Sequence, residues 1–256
     1  MAVKSMQILQ TATSHVDERK VNPNVPVGTI IDIFFLCFLI NADEGNILVD
    51  TGYHADDAKE EAEKTEARIE MTPLPDCLQA IGLSVNDITM VIMTHLDSDH
   101  TGYTNLFTNS EIIVQKAEHE YACNPPLEAQ QYIKQERFNS TKLKWRMLDG
   151  DEIIFPGLSV IATGGHTPGS QSIMVNLPKS GLVMLVGDAL HDISELEENK
   201  ARLAHNDEQA TNSIKKLKVL SQMTGAPMFP YHVHPIYPTK QLNIFRSEVF
   251  KTEPYI

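Results

Sequence analysis

Apolar residues along this chain fall into short continuous runs separated by polar segments, a pattern typical of buried strands that alternate with surface helices. The runs predict strands near 29–40, 46–50, 88–94, 111–115, 153–162, 171–177, 182–187 and 227–231. The segments between them predict helices near 55–70, 74–82, 116–123, 127–139 and 207–223. Strands in runs with helices between them favour an α+β fold in which two packed sheets are covered by helices.

One polar stretch, residues 94–102, directly follows the apolar run 88–93 and holds four metal-binding side chains within six positions. These are His95, Asp97, Asp99 and His100. A helix would spread them round its circumference, whereas a turn at a strand end can direct all four to one point. Two imidazoles and two carboxylates suit zinc, iron, manganese or cobalt. Taken alone, the stretch also fits a polar surface turn whose side chains bond their own backbone.

Three later positions place a further metal-binding residue at or just beyond a predicted strand end. His166 lies within the glycine-rich turn 164–169, Asp188 follows the apolar run 182–186, and His232 follows the segment 227–230. Each of these alone fits an ordinary loop histidine or a helix cap. Their joint occurrence with the first stretch favours one metal site, because a rigid sheet can hold several loop-borne ligands together.

The order of these residues resembles the metallo-beta-lactamase superfamily, whose hallmark is His-x-His-x-Asp-His followed by distant His, Asp and His ligands. Within it, the chain is most similar to the N-acyl-homoserine lactonases. Segments outside the motif share the resemblance: Gly45–Gly52, Phe107–Gln115, Ser213–Lys218 and Glu253–Ile256. The resemblance implies an αβ/βα sandwich that carries its metals at one edge of the sheets.

The resemblance also implies a ligand set for two divalent metal ions, with zinc as the first choice. The first ion would be held by His95, Asp97 and His166, and the second by Asp99, His100 and His232, with Asp188 bridging both. Asp50 resembles a buried acid that supports a ligand. A water shared by two such ions loses its proton readily and can attack a carbonyl carbon. Asp99 is then the expected proton shuttle.

Two residues depart from the family pattern. Asp97 stands where the family has a histidine, and the added carboxylate shifts the first site toward iron or manganese. The flavodiiron oxygen reductases of the same superfamily carry a carboxylate there and use iron. The alternative is that Asp97 turns away and the first site is weak. His191 stands where the lactonases have a tyrosine that polarises the substrate carbonyl.

The imidazole of His191 can also donate a hydrogen bond to that carbonyl, so we expect it to be catalytic. The alternative is an exposed loop histidine. His205 and His234 are further candidates for the wall of the pocket.

The net charge, the cysteine usage and the distribution of apolar runs indicate which partners and which compartment fit this chain. The chain has 256 residues and a net charge of −13, which argues against nucleic acid, whose phosphates need a basic face. No linker or repeat divides it, so a single domain over residues 1–256 is predicted. Three cysteines without a CxxC pair fit a reducing cytoplasm. The apolar run 33–40 is too short to cross a bilayer, and no signal peptide is recognised.

Three functions stay open at this point. The first is a lactonase that opens an N-acyl-homoserine lactone or a related small lactone by means of metal-bound hydroxide. The second is the same chemistry on another ester, thioester or phosphoester. The third is a carboxylate-rich diiron redox protein or a metal-binding protein without hydrolytic activity. The expected partner is a small molecule, and either a monomer or a homodimer is compatible with the sequence.

Overall fold

The computed structural model describes residues 2–20, 26–191 and 193–233 of the chain. His234 and the segment Glu253–Ile256, which contributed to the sequence predictions, lie outside these residues. Among the described residues, no helix combines the length and the apolar character needed to span a membrane.

The larger of two sheets carries the metal-binding motif. Its strands are β1 (Val3–Asp17), β2 (Ile30–Ala42), β3 (Gly45–Val49), β4 (Arg68–Met71), β5 (Ile88–Ile92), β6 (Glu111–Gln115), β7 (Lys144–Leu148) and β13 (His232–Val233). They follow the order β4-β1-β2-β3-β5-β6-β7, and β13 pairs with β2. Strands β3, β5, β6 and β7 are parallel, so their carboxyl ends meet at one edge. The motif 94–102 begins two residues after β5, at that edge.

The smaller sheet supplies the remaining strand ends. Its strands are β8 (Glu152–Phe155), β9 (Leu158–Ala162), β10 (Gln171–Leu177), β11 (Gly181–Gly187) and β12 (Met228–Pro230). Its order is β12-β11-β10-β9-β8, antiparallel except for the parallel pair of β11 and β12. Asp188 directly follows β11, and His232 lies two residues after β12.

Helices cover the outer faces of the two sheets, except for the single-turn helix Ser98–Thr101, which lies in the motif at the sheet edge. They are α1 (Ala55–Thr65), α2 (Leu74–Ala80), α3 (Ser98–Thr101), α4 (Lys116–Cys123), α5 (Ile193–Glu198) and α6 (Asp207–Thr224). Helix α6 begins where the Asn206 side chain accepts a hydrogen bond from Gln209 N, and it ends at Gly225 in the left-handed conformation. Its Ile214 and Leu217 pack in one apolar cluster with Val186 of β11.

The buried side chains of β2 explain why its sequence is apolar on both faces. Leu36, Phe38 and Ile40 lie in the cluster between the two sheets, together with residues of β9, β10 and β11. Cys37 and Leu39 lie in the opposite cluster, which includes Leu74 and Leu78 of α2. A sheet strand with both faces covered loses the polar alternation of a surface strand. The predicted αβ/βα sandwich is therefore confirmed.

Several predicted elements were wrong in detail. The predicted helix 127–139 consists of turns and one short 3-10 helix, Gln135–Arg137. The predicted helix 55–70 ends at Thr65 and is followed by β4, and the predicted strand 153–162 is two strands that turn at Gly157, whose φ is 99°. Strands β1 and β7 and helix α5 were not predicted. All three cysteines are described and free of disulfide bonds.

Candidate metal centre

The motif 94–102 changes conformation at its midpoint, which directs its four side chains inward. His95 and Asp97 lie in the turn after β5, whereas Asp99 and His100 belong to the single-turn helix α3, which Asp97 precedes as N-cap. The rings of His95 and His100 lie 3.9 Å apart between centroids. A turn joined to a helical turn therefore achieves the convergence that a continuous helix could not.

The first predicted group consists of His95, Asp97 and His166. Asp97 Oδ2 lies 3.7 Å from His95 Nε2 and 3.5 Å from His166 Nε2. One nitrogen or oxygen atom from each of the three residues lies within 4.8 Å of the other two. The His166 Nδ1 atom lies 3.2 Å from the carbonyl oxygen of Leu203, which fixes the ring so that Nε2 faces the group.

The second predicted group consists of Asp99, His100 and His232. Asp99 Oδ2 lies 3.5 Å from His100 Nε2 and 3.1 Å from His232 Nε2. Tyr231 supports this group, because its hydroxyl donates to the Asp99 carbonyl oxygen at 2.6 Å and its ring packs on His100. His232 reaches the group because β13 pairs with β2, opposite Phe35.

The carboxylate of Asp188 lies between the two groups. Its Oδ2 is 3.7 Å from His166 Nε2 and 3.4 Å from His232 Nε2, and its Oδ1 is 3.6 Å from His100 Nε2. The preceding residue, Gly187, has a φ of 55°, and a Cβ there would lie only 3.0 Å from Thr94 Cβ. The close approach of β11 to the motif therefore favours glycine directly before Asp188.

Buried atoms without a partner test whether these residues fit metal ions. Among the residues that the structure describes, His95 Nε2, His100 Nε2 and Asp188 Oδ1 are buried and lack a hydrogen bond. Buried polar atoms are normally hydrogen-bonded, because leaving them unpaired costs about 1–3 kcal/mol each. Two imidazole nitrogens and a carboxylate oxygen are also ordinary ligands of divalent zinc. The residues therefore fit a pair of divalent ions.

Comparison with known proteins agrees with this geometry. Residues 36–232 match the family model of the Metallo-beta-lactamase superfamily. The chain belongs to that superfamily. It is 31% identical to an N-acyl homoserine lactonase of a Bacillus species over 227 residues, and this aligned region covers 85% of this chain and 88% of the relative. It is 32% identical over 169 residues to the lactonase AttM of Azorhizobium caulinodans, which covers 63% and 64% of the two chains.

Solved structures of lactonases in the superfamily have the same fold. A Bacillus thuringiensis AiiA variant with N-decanoyl-L-homoserine bound at its active site has a TM-score of 0.79 and 28% identity, and covers 91% of this chain and 94% of its own. An N-acyl homoserine lactone hydrolase with N-hexanoyl-L-homoserine at its catalytic metal center gives the same values. The prediction of a metal-dependent hydrolase that cleaves ester bonds is thereby confirmed.

A buried carboxylate directly after β3 supports the superfamily motif. Asp50, which is 1% exposed, lies with Oδ2 at 2.9 Å from His100 Nδ1 and accepts hydrogen bonds from the backbone N and hydroxyl of Thr94, both at 2.7 Å. A carboxylate beside Nδ1 fixes the ring so that Nε2 faces the metal site. The sequence resemblance predicts such a role for Asp50.

A second buried acid, Glu118 of α4, was missed by sequence reasoning. It accepts hydrogen bonds from Leu96 N at 2.9 Å, Gly169 N at 3.1 Å and the Thr167 hydroxyl at 2.6 Å. It thus ties the motif turn to the turn that holds His166. Burial raises the pKa of Glu118 to about 7, although the Thr167 hydrogen bond lowers it. A glutamate in a polar helix carries no sequence signal of burial.

The structure places His191 beside the two metal groups. Its Nε2 lies 3.6 Å from Asp188 Oδ2, and its ring is 5.5 Å from that of His166. Burial opposes protonation, but Asp188 and Glu195 outweigh it and raise the pKa of His191 to about 10. His205 is different: its exposed side chain packs on Tyr121, and only its backbone N reaches the site, at 3.1 Å from His166 O.

Proposed function

We propose that this protein is a dinuclear metal-dependent lactonase that opens the ring of N-acyl homoserine lactones. The observation that carries the proposal is the convergence of seven metal-binding side chains on one point at the edge of the sheets. They are His95, Asp97, Asp99, His100, His166, Asp188 and His232. Relatives of known activity that cover 85% of the chain support lactones as the substrate class.

Two divalent ions at these residues would supply a water of lowered pKa and a Lewis acid for the carbonyl oxygen. In the reaction, the water oxygen bonds to the carbonyl carbon, the ring C–O bond breaks, and the departing alkoxide takes up a proton. The product is a hydroxy acid that retains its acyl chain.

Asp99 is the residue that we propose to move this proton. Burial raises its pKa, but the imidazoles of His100 and His232 outweigh burial and lower it below the usual range. The carboxylate is therefore ionised and can accept the proton from the attacking water. It can then pass the proton to the alkoxide, as a general base that becomes a general acid.

An exposed leucine whose backbone contacts the site supports a substrate with an acyl tail. Leu203 is 59% exposed, and its carbonyl oxygen contacts His166 Nδ1, which places Leu203 at the edge of the first metal group. An exposed leucine at a polar site offers apolar surface that an acyl chain can cover. We propose that the tail lies along Leu203 while the ring lies over the ions.

We propose zinc as the resident metal, although the carboxylate of Asp97 makes the first site harder than three imidazoles would. Metal content of protein purified from cells grown without added zinc tests this choice. Quorum quenching in a cytoplasmic setting follows from the proposed substrate and from the cysteine usage, and both stay predictions. The single domain 1–256 is also a proposal, supported by ligands drawn from residues 95 to 232.

Ring opening of a panel of homoserine lactones, followed by proton release, tests the proposed function. We expect hydrolysis of N-acyl homoserine lactones and its loss after chelation, with recovery when zinc is returned. Asp188→Ala should lose both ions and nearly all activity, whereas Asp207→Ala at the exposed start of α6 should retain both. Activity confined to acyclic esters, thioesters or phosphoesters would contradict the substrate. Two irons per chain with oxygen consumption and no hydrolysis would contradict the reaction.

A further inference from the structure

The two departures from the family pattern both lie close to His166. Asp97 replaces an imidazole of the first metal group, and His191 adds an imidazole beside that group. One ring nitrogen each of His191 and His166 and a carboxylate oxygen of Asp188 lie within 4.8 Å of one another. We propose that His191 is a protein ligand of the first ion, together with His95, Asp97 and His166. The inference rests on the dinuclear site of the proposed function.

Glu195 fixes the backbone of His191 and places a carboxylate near its ring. Its side chain is 1% exposed, and its Oε1 lies 3.7 Å from His191 Nδ1. Its Oε2 accepts the hydrogen bond of the His191 backbone N, and its Oε1 accepts that of Arg202 N at 2.7 Å. Nδ1 of His191 is buried without a hydrogen bond, and at 3.7 Å the Glu195 carboxylate favours a proton on Nδ1 through its charge. The lone pair is then on Nε2, which faces Asp188.

The helix that carries Glu195 is held in place by α6. Lys218 Nζ donates to the Leu196 carbonyl oxygen at 2.8 Å and to Asn199 Oδ1 at 3.1 Å. Leu196 is buried in the apolar cluster that contains Ile214 and Leu217. The carboxylate is thus fixed by packing independent of the metal groups, and it holds the backbone of His191 in place.

A ligand role for His191 explains the two departures together. With His191, the first ion has three imidazoles, the same number that the family pattern gives with a histidine at position 97. Because imidazole suits zinc, the added ring offsets the preference for harder metals that Asp97 introduces. A lone pair on Nε2 cannot donate to a substrate carbonyl. The carbonyl-donor role predicted from the sequence therefore needs the proton on Nε2. One set of measurements separates this donor role from the ligand role.

The test compares wild type with His191→Phe and Glu195→Gln in zinc binding, measured by competition with a chelator. Loss of an orienting carboxylate typically lowers metal affinity about 10- to 100-fold, so we expect at least that loss at one ion in both variants. The other ion should bind as in wild type. His119→Phe, which removes a half-buried imidazole from α4 beside Trp145, should leave both affinities unchanged.

Proton NMR of the cobalt(II)-loaded protein gives a readout that does not depend on activity. Each bound imidazole with an N–H contributes one strongly shifted exchangeable resonance, and His191→Phe should remove one that wild type shows. A crystal structure of zinc-loaded wild type should place Nε2 of His191 about 2.1 Å from an ion, and it decides the matter if His191→Phe does not fold.

The outcomes separate this inference from the proposed function. Wild type that binds two zinc ions, with unchanged affinities and resonances in His191→Phe, would overturn the ligand role alone. If turnover falls in that case, His191 is the carbonyl donor. Wild type that binds no metal pair would overturn the proposed function itself.

Discussion

The Nδ1 atom of His100 lies 2.9 Å from Oδ2 of Asp50, and both side chains are almost completely buried. Asp50 adopts the left-handed backbone conformation, with a φ of 58°, which turns the chain after β3 so that the carboxylate points beneath the motif. Aspartate and asparagine tolerate this conformation better than most residues. Substitution by asparagine therefore keeps the backbone while changing the hydrogen bonds.

Asp50→Asn should lower zinc affinity by about 10- to 100-fold. If the asparagine oxygen accepts from Thr94 N, its amide N–H faces His100 Nδ1. The imidazole then accepts at Nδ1 and carries its proton on Nε2, where it blocks the metal. Chelator competition measures the loss. Asp32→Asn is a matched control, because Asp32 pairs with Nδ1 of the distant His15 at 2.6 Å. Equal affinities in Asp50→Asn and wild type would show that Asp50 does not set the His100 tautomer.

Asp97→His should raise the affinity of the first metal group for zinc. It should also lower the share of iron in protein purified from cells. The change replaces a hard carboxylate with imidazole at a position 3.7 Å from His95 Nε2 and 3.5 Å from His166 Nε2. Elemental analysis after growth in defined metal mixtures measures both effects. Asp97→Asn, which keeps the size of the side chain but removes its charge, is the control and should instead weaken metal binding at the first group. Unchanged zinc content in Asp97→His would exclude Asp97 as a ligand.

The positions of the candidate ligands could be predicted because they depend on local pattern. Apolar runs mark where β5 and β11 end, and the residues after a strand end lie at the sheet edge whatever the rest of the chain does. His95 and Asp188 follow this rule. The supporting acids Glu118 and Glu195 do not, because a glutamate within a polar helix has the same sequence pattern whether its carboxylate is exposed or buried.

The elements that were missed depend on partners distant in sequence. Strand β1 mixes polar and apolar residues without regular alternation, and it is stabilised by pairing with β2 and β4 rather than by its own pattern. In the segment 127–139, the buried residues Ala129 and Ile133 have helical spacing. The chain instead forms turns there, and the Tyr132 carbonyl oxygen accepts from Ser98 N at 2.8 Å, so that the segment caps the motif helix.

Leu203→Ser should raise KM for N-decanoyl homoserine lactone and leave KM for the N-butanoyl compound nearly unchanged. Covering a leucine side chain is worth about 1 kcal/mol or more, which corresponds to roughly fivefold in KM or above. We expect only the longer tail to reach this surface. The control is Ile153→Ser on β8, which removes an apolar side chain of 72% exposure. A parallel rise for both chain lengths would place the tail elsewhere.

Glu118→Gln should change how stability depends on pH. The pKa of Glu118 is raised to about 7 in the folded protein by burial, above its usual value of 4.5. As the pH rises, Glu118 therefore loses its proton at a lower pH in the unfolded chain than in the folded protein. The stability that neutral Glu118 provides is lost as the pH rises from about 4.5 through 7. Glutamine cannot ionise. Relative to wild type, the variant should gain about 3 kcal/mol in unfolding free energy between pH 4 and pH 8.

Urea unfolding of the chelated proteins at several pH values measures this difference without a contribution from metal binding. Glu120→Gln, two residues later on the exposed face of α4, is the matched control and should show no such gain. Parallel pH curves for wild type and Glu118→Gln would mean that the three hydrogen bonds from Leu96, Thr167 and Gly169 fully offset burial. Glu118 would then be ionised in the fold, and the tie between the two turns would be a charged one.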